Sequence, residues 1–238
     1  MNNAIWALFY DISPEDKAEY LHWFHSQHIP DKLQRDGYLW AAHYQVVDPG
    51  GKFRPILDRL HYSEDFSLCS GAGYVALFGG QTTRTFYDPS PDQLKLQQDE
   101  LTRDMISKRI KPVSIIYCEE WRVHGPLPKT SDFLQSAAPV IQIGRFDSVG
   151  SELDLGAWYA QERMCAIENT QGCIGARKLL ASAGRPKHSI LYEFDSMESR
   201  ESHFLCLENT QWTRRIHEQI IHPKDSPLVG SRIWPEAL

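Results

Sequence analysis

The sequence predicts an α+β protein built from two tandem βαββαβ units whose antiparallel sheets pack together into an α+β barrel, and three observations carry this reading. The same order of elements runs twice along the 238 residues. A Pro- and Gly-rich segment, Gly125-Pro126-Leu127-Pro128-Lys129-Thr130-Ser131, separates the two runs. Sliding the chain by 135 positions lays Trp23-Phe24 on Trp158-Tyr159, Gly37 on Gly172 and Ala41 on Ala176 without a gap.

The elements follow in order. Residues 4–12 are rich in aromatic and β-branched side chains and end at Ser13-Pro14, a strand followed by a helix start with Ser13 as N-cap. Ala18, Leu21 and Phe24 or His25 then recur at helical spacing until Pro30 ends the helix. Residues 38–47 form a second strand closed by the Asp48-Pro49-Gly50-Gly51 turn, and a long loop leads to about Ser70. Residues 73–78 are a third strand, with Gly79-Gly80-Gln81 as a turn after it. Residues 91–109 are a helix with Leu94, Leu101, Met105 and Ile106 on one stripe, and 113–123 a fourth strand. The second run reads strand 140–146, helix 153–167, strands 173–181 and 189–194, helix 197–220 and strand 228–234. Ahead of the ungapped block Tyr10-Asp11 matches Phe146-Asp147 with a shift of one, and Phe78 matches Phe194 beyond the first copy's extra loop. The expected units are therefore 1–123 and 139–238, joined by a linker at 124–138. Each such unit leaves one sheet face bare, and packing the two faces together covers both within one chain.

Composition narrows the partners. An apolar content of 42% suffices for a core without staples. The five cysteines, Cys69, Cys118, Cys165, Cys173 and Cys206, have neither C-x-x-C nor zinc-like spacing and read as reduced thiols of a cytoplasmic protein. With 31 acidic against 25 basic residues the net charge is −6, which gives no electrostatic reason to expect nucleic acid or an anionic membrane. No apolar stretch reaches the roughly 20 residues that span a bilayer. A phosphate loop of the G-x-x-x-x-G-K type and a Gly-x-Ser-x-Gly nucleophile elbow are both absent.

An aromatic-x3-His-x-Pro motif at Phe24 to Pro30, followed by Gly37-Tyr38 and a strand, resembles the dimeric α+β barrel superfamily, and within it the EthD-like group. The motif covers about twenty-five residues, while the element order covers both halves. The resemblance implies ferredoxin-like units paired through their sheets, with a hydrophobic cavity between sheet and helices. It also implies a site histidine at His28 and a motif proline at Pro30, whose counterparts in the second copy are Arg163 and Cys165. The first half is thus expected to bear the site and the second to be a degenerate structural partner.

His22, His25 and His28 lie three apart along one stripe of the first helix, the densest titratable cluster of the chain. The expected function is a cofactor-independent enzyme of monooxygenase, isomerase, cyclase or decarboxylase type. It would act on an apolar or aromatic molecule bearing a carbonyl or phenol, with His28 and His25 as acid or base. A tyrosine, Tyr44 or Tyr74, would hold a developing oxyanion. Trp23, Phe24, Trp40, His43, Tyr74, Phe78 and Tyr117 are the candidate substrate contacts, and Arg59 and His61 in the extra loop could close over a ligand. On the second strand Trp40, Ala42 and Tyr44 share one face and Ala41 and His43 the other; the sequence does not say which face meets the helices. No complete metal set accompanies His25 and His28. Ten histidines make the single axial ligand of a heme uninformative. The alternatives are a non-catalytic small-molecule binder and a structural homo-oligomer, with any homodimer formed through outer surfaces.

Overall fold

The computed structural model describes residues 3–48, 50–126 and 137–236, so residues 127–136 of the expected linker lie outside the described residues. Ten strands are formed: β1 (Ala4–Ile12), β2 (Tyr38–Val46), β3 (His61–Tyr62), β4 (Tyr74–Gly80), β5 (Arg109–His124), β6 (Val140–Ser148), β7 (Cys173–Ala183), β8 (His188–Phe194), β9 (Ile220–His222) and β10 (Leu228–Trp234). Eight of them close a barrel in the order β10-β2-β4-β1-β5-β7-β8-β6, with β6 pairing back onto β10. The first-half order β2-β4-β1-β5 repeats as β7-β8-β6-β10 in the second, and the antiparallel seams β5–β7 and β10–β2 join the halves. The protein therefore has two tandem ferredoxin-like units closed into one α+β barrel within a single chain. Among the described residues no helix is long and apolar enough to cross a membrane.

Strand alternation sorts the side chains. Ile5, Ala7, Phe9, Ala42, Tyr44, Leu77, Tyr117, Ile141 and Leu191 point inward and fill the barrel. Their neighbours in sequence, among them Trp6, Leu8, Tyr10, Ala41 and Phe78, point outward and are covered by the first-half helices. Trp158, Tyr159, Phe146 and Phe194 belong to the matching layer of the second half. The open question of faces on β2 is thereby settled: Ala41 and His43 meet the helices, and Ala42 and Tyr44 the barrel.

The long helix of each half carries the same local irregularity. In the first half Lys17–Trp23 runs into a π-helical turn at Phe24–His28 and continues as Ile29–Leu33. In the second half Glu152–Trp158 runs into a π-helical turn at Tyr159–Arg163 and continues as Met164–Asn169. The two turns stand 135 positions apart, the same shift that aligns the sequences. The expected stop at Pro30 is corrected. The Ile29 N–H reaches back to the Phe24 carbonyl, and the widened turn takes in the proline ring without ending the helix.

Other boundaries move for local reasons. The helix expected over 91–109 is two helices, Pro91–Leu96 and Glu100–Ser107, because Asp99 accepts from the Thr102 N–H at 2.7 Å and starts a new one. The helix expected over 197–220 breaks into a π-helical turn, a 3-10 segment and a final helix Gln211–His217 capped by Thr210. Gly79 and Gly80 belong to β4, not to a turn after it; the Trp40 indole packs where a Gly79 Cβ would lie. The extra loop is partly ordered structure, with a short helix Arg54–Leu57 and β3 paired in parallel with β9. It crosses to the second half, where Phe53 and Ile56 enter the core.

Gly37 and Gly172, the glycines aligned by the duplication, both have positive φ, +83° and +77°, at the turn into β2 and β7. A Gly172 Cβ would overlap the Ser199 side chain, and the backbone conformation itself disfavours any L side chain. Gly172→Ala should therefore lower stability by about 1–3 kcal/mol, read as a fall in the urea midpoint; an unchanged midpoint would show that Ser199 and the turn relax without cost.

Candidate functional site

In the first half the layer between sheet and helix brings together more titratable groups than its apolar pattern suggests. His43, fully buried on β2, is bonded on both ring nitrogens. Its Nε2 meets the Tyr10 hydroxyl at 2.9 Å, and its Nδ1 meets His25 Nε2 at 2.8 Å. This chain of bonds runs from buried Tyr10 to His25, which borders a shallow open groove with Leu21, His22, Ser26, Gln45 and Ile233. Burial pushes the His43 imidazole well below its ordinary pKa, helped by His25 and Arg109, and burial brings His25 down to about 4. Tyr10 stacks on His43 and Tyr74, and burial raises its phenol well above the usual range.

His28 closes the π-helical turn, its ring 4.6 Å from that of Trp23 and 5.5 Å from that of Phe24. It lines a cleft of about 200 Å³ between the first long helix and the helix pair over residues 91–107. Lys32 and Arg35 stand beside it on the same wall, Gln97, Gln98 and Thr102 on the other, and exposed Asp31 and Asp99 at the margin. Burial, with the cations Lys32, Arg109 and Arg35 around it, pushes His28 down to about 2. His28 is therefore a neutral imidazole at neutral pH. So depressed, the ring offers little basicity, and its neutral form presents one N–H donor and one acceptor nitrogen to the cleft.

Lys32 is 5% exposed, its ammonium 4.1 Å from the Trp6 ring and 5.4 Å from that of Phe78. Burial, with Arg35 and Arg109, lowers its pKa well below the ordinary value. Arg109 donates to the Tyr20 hydroxyl at 2.7 Å and lies over the Tyr10, Tyr20 and Phe24 rings. One buried guanidinium nitrogen of Arg109 and one of Arg35 have no hydrogen-bond partner among the described residues.

Of the sequence-derived candidates, His25, His28, Trp23, Phe24, His43, Tyr74 and Phe78 gather in this layer. Tyr44, Trp40 and Tyr117 do not. Tyr44 is inside the barrel, donating to the Ala138 carbonyl at 3.0 Å, Tyr117 is buried beside it, and Trp40 packs against that inner cluster under the Arg177 guanidinium. Arg59 and His61 serve the other half, where Arg59 bonds the Glu208 carbonyl and the Asn209 side chain and His61 pairs with Ile221. Tyr10, Tyr20, Lys32, Arg35 and Arg109 were missed. The signal for Lys32 is the duplication itself, which lays it on the fully buried Ile167.

The second half shows the same layer in another state. Arg163, the counterpart of His28, donates to both Glu208 oxygens at 2.9 and 3.2 Å and to the Thr213 hydroxyl at 3.3 Å. His217 Nε2 lies 3.3 Å from the same carboxylate. Lys178, the counterpart of His43, pairs with Glu120 at 3.0 Å and meets His188 Nδ1 at 2.9 Å. Between Arg163, Glu208 and His217 and the strap residues Phe53, Ile56 and Leu60 lies a small cavity of about 50 Å³.

No family model matches the chain, and no curated protein matches it. Solved structures do. A putative chlorite dismutase, TA0507, superposes with a TM-score of 0.58 at 12% identity, over 98% of this chain and 95% of that one. An anthrone oxidase-like protein gives a TM-score of 0.56 at 10% identity, over 98% and 91%. A heme-binding protein from Thermus thermophilus gives 0.50 at 12% identity, over 97% and 91%. At these identities the likeness is one of fold. It nevertheless corrects the expectation of a cofactor-independent enzyme, because the fold is shared with a heme-binding protein and so gives no ground for setting a cofactor aside.

Among the described residues, none of the three sites above fits a heme. The His28 cleft is smaller than the roughly 300–1,000 Å³ of pockets for drug-sized ligands, and the second-half cavity is smaller still. The His25 groove is open and shallow, and His25 Nε2 is engaged by His43. In the second half the position aligned with His28 is an arginine locked to a carboxylate.

Proposed function

We propose that this protein binds a small polar molecule in the first half, in the cleft beside His28, and that the second half is its structural partner. The observation that carries this is the neutral His28 ring, fixed between Trp23 and Phe24 at a 200 Å³ cleft whose far wall offers the amides of Gln97 and Gln98 and the Thr102 hydroxyl. Such a wall holds hydrogen-bonding groups, and a neutral imidazole both donates and accepts. The EthD-like motif of Phe24 to Pro30 supports the same location and this group assignment. The apolar or aromatic ligand expected from the sequence suits this cleft less well, because Leu94 is its one aliphatic wall residue.

A fragment screen by ligand-observed NMR on the full chain tests the reading. Compounds that bind should lose at least tenfold in affinity in His28→Ala, with the unfolding temperature within a few degrees of the parent. Hits whose affinity is the same in His28→Ala and in Gln98→Ala would place the ligand elsewhere.

A further inference from the structure

We infer that the ligand of the His28 cleft is an anion, a carboxylate or phosphate group held by Lys32 and Arg35. The inference rests on the proposed cleft and adds the class of ligand to it.

The first argument is the missing counter-charge. Lys32 is only 5% exposed on its wall, and its polar surroundings are the cations Arg35 and Arg109 and the neutral imidazole of His28. The nearest acidic residues do not serve it. Asp99 is committed to capping the Thr102 N–H, and Asp31 projects from the helix as an exposed residue; among the described residues neither forms an ion pair with Lys32 or Arg35. A buried lysine that meets only aromatic faces and like charges is pushed toward its neutral amine, and an anion entering the cleft restores the ammonium and pairs with it.

The second argument comes from the duplication, which supplies an internal comparison. Where the first copy has Lys32 the second has Ile167, a fully buried core residue, so the fold at this point calls for an apolar side chain. At the two second-copy positions aligned with His28 and His43, the buried cations are paired: Arg163 with Glu208 and Lys178 with Glu120. The first copy places a cation at an apolar position and leaves out the carboxylate. The unbonded guanidinium nitrogen of Arg35 adds a second donor at the same cleft. Lysine presents a point charge and arginine a planar fork, a pair suited to a carboxylate or a phosphate.

The test uses matched probes on the full chain: glycolate against glycolamide, and inorganic phosphate, each titrated by NMR at constant ionic strength. Glycolate or phosphate should bind at least tenfold more tightly than the amide, and the difference between the two anions identifies which oxyanion the cleft prefers. Lys32→Met should abolish that preference while raising the unfolding temperature, since it removes an unpaired buried amine and restores the apolar character of Ile167. Equal binding of acid and amide, with both lost in His28→Ala, would overturn the anionic class and leave the cleft standing. Binding of neither anion at millimolar concentration, or anion binding indifferent to Lys32→Met, would overturn the inference; fragments that also ignore His28→Ala would remove the cleft with it.

Discussion

Glu208→Ala should cost the fold about 3–5 kcal/mol, the usual penalty for stranding one member of a buried ion pair. The carboxylate is buried and accepts two bonds from Arg163, and the Arg163 guanidinium also lies over the Trp158, Tyr192 and Phe204 rings, far from water. Burial alone would raise the Glu208 carboxyl; Arg163 and His217 outweigh it and hold it at about 2, so the pair stays ionised across the neutral range. Removing the carboxylate leaves a guanidinium that cannot shed its proton and cannot reach solvent. The double replacement Arg163→Met with Glu208→Leu should recover most of the loss, because an apolar pair of similar volume avoids the desolvation of both charges. Urea unfolding of Arg163→Met, Glu208→Leu and the double variant gives the coupling energy. A loss under about 1 kcal/mol in Glu208→Ala would mean that water enters the 50 Å³ cavity and solvates Arg163.

That clamp also explains why the two halves differ in what they can hold. The sequence shows Arg163 in place of a histidine, but not that its partner lies 45 residues further on, because ion pairing across a helix layer leaves no local pattern. What was legible was periodic or backbone-driven: the aromatic pairs Trp23-Phe24 and Trp158-Tyr159, the positive-φ glycines Gly37 and Gly172, and the strand alternation that built the barrel. The π-helical turns were not, since one extra residue per turn is a change of hydrogen-bond register with no compositional mark. The break at Gln97 to Asp99 was readable, because Asp99 stands three residues before Thr102 as an N-cap should, but the apolar stripe through Leu94 and Leu101 hid it. Lys32 stands beyond the helix end expected at Pro30, beside Asp31, with no local mark of burial. Only the register of the duplication, which sets it against Ile167, marks it as misplaced in a core. Tyr44 misled for the opposite reason: one residue of alternation from His43, it belongs to the barrel interior and to no cleft.

Acidification should unfold this protein in two stages, the first beginning near pH 6.5. His222 is 5% exposed and burial pushes it down to about 3; His43 is fully buried and lies well below its ordinary value; His28 and His25 stand at about 2 and about 4. Each of these folded-state values is depressed, so below pH 6.5 the unfolded chain takes up protons that the native state refuses. The stability is fully present above the unfolded value and is lost as pH falls toward the folded one. Between pH 8 and pH 5 a histidine shifted as far as His222 removes about 2 kcal/mol by itself, at roughly 1.4 kcal/mol per pH unit below 6.5. The second stage begins below about pH 4.5, where unfolded glutamates protonate while Glu208 remains ionised down to about 2. Thermal unfolding followed by circular dichroism at constant ionic strength should therefore show a midpoint that falls steadily from pH 6.5 to 5. His43→Gln provides the control, since an amide can keep bonds to Tyr10 and His25 without titrating, and its slope over that interval should be shallower than the parent's. A midpoint flat from pH 8 to pH 5 in the parent would mean that these histidines take up protons as readily in the native state as in the unfolded chain, and the account of buried neutral imidazoles would fall with it.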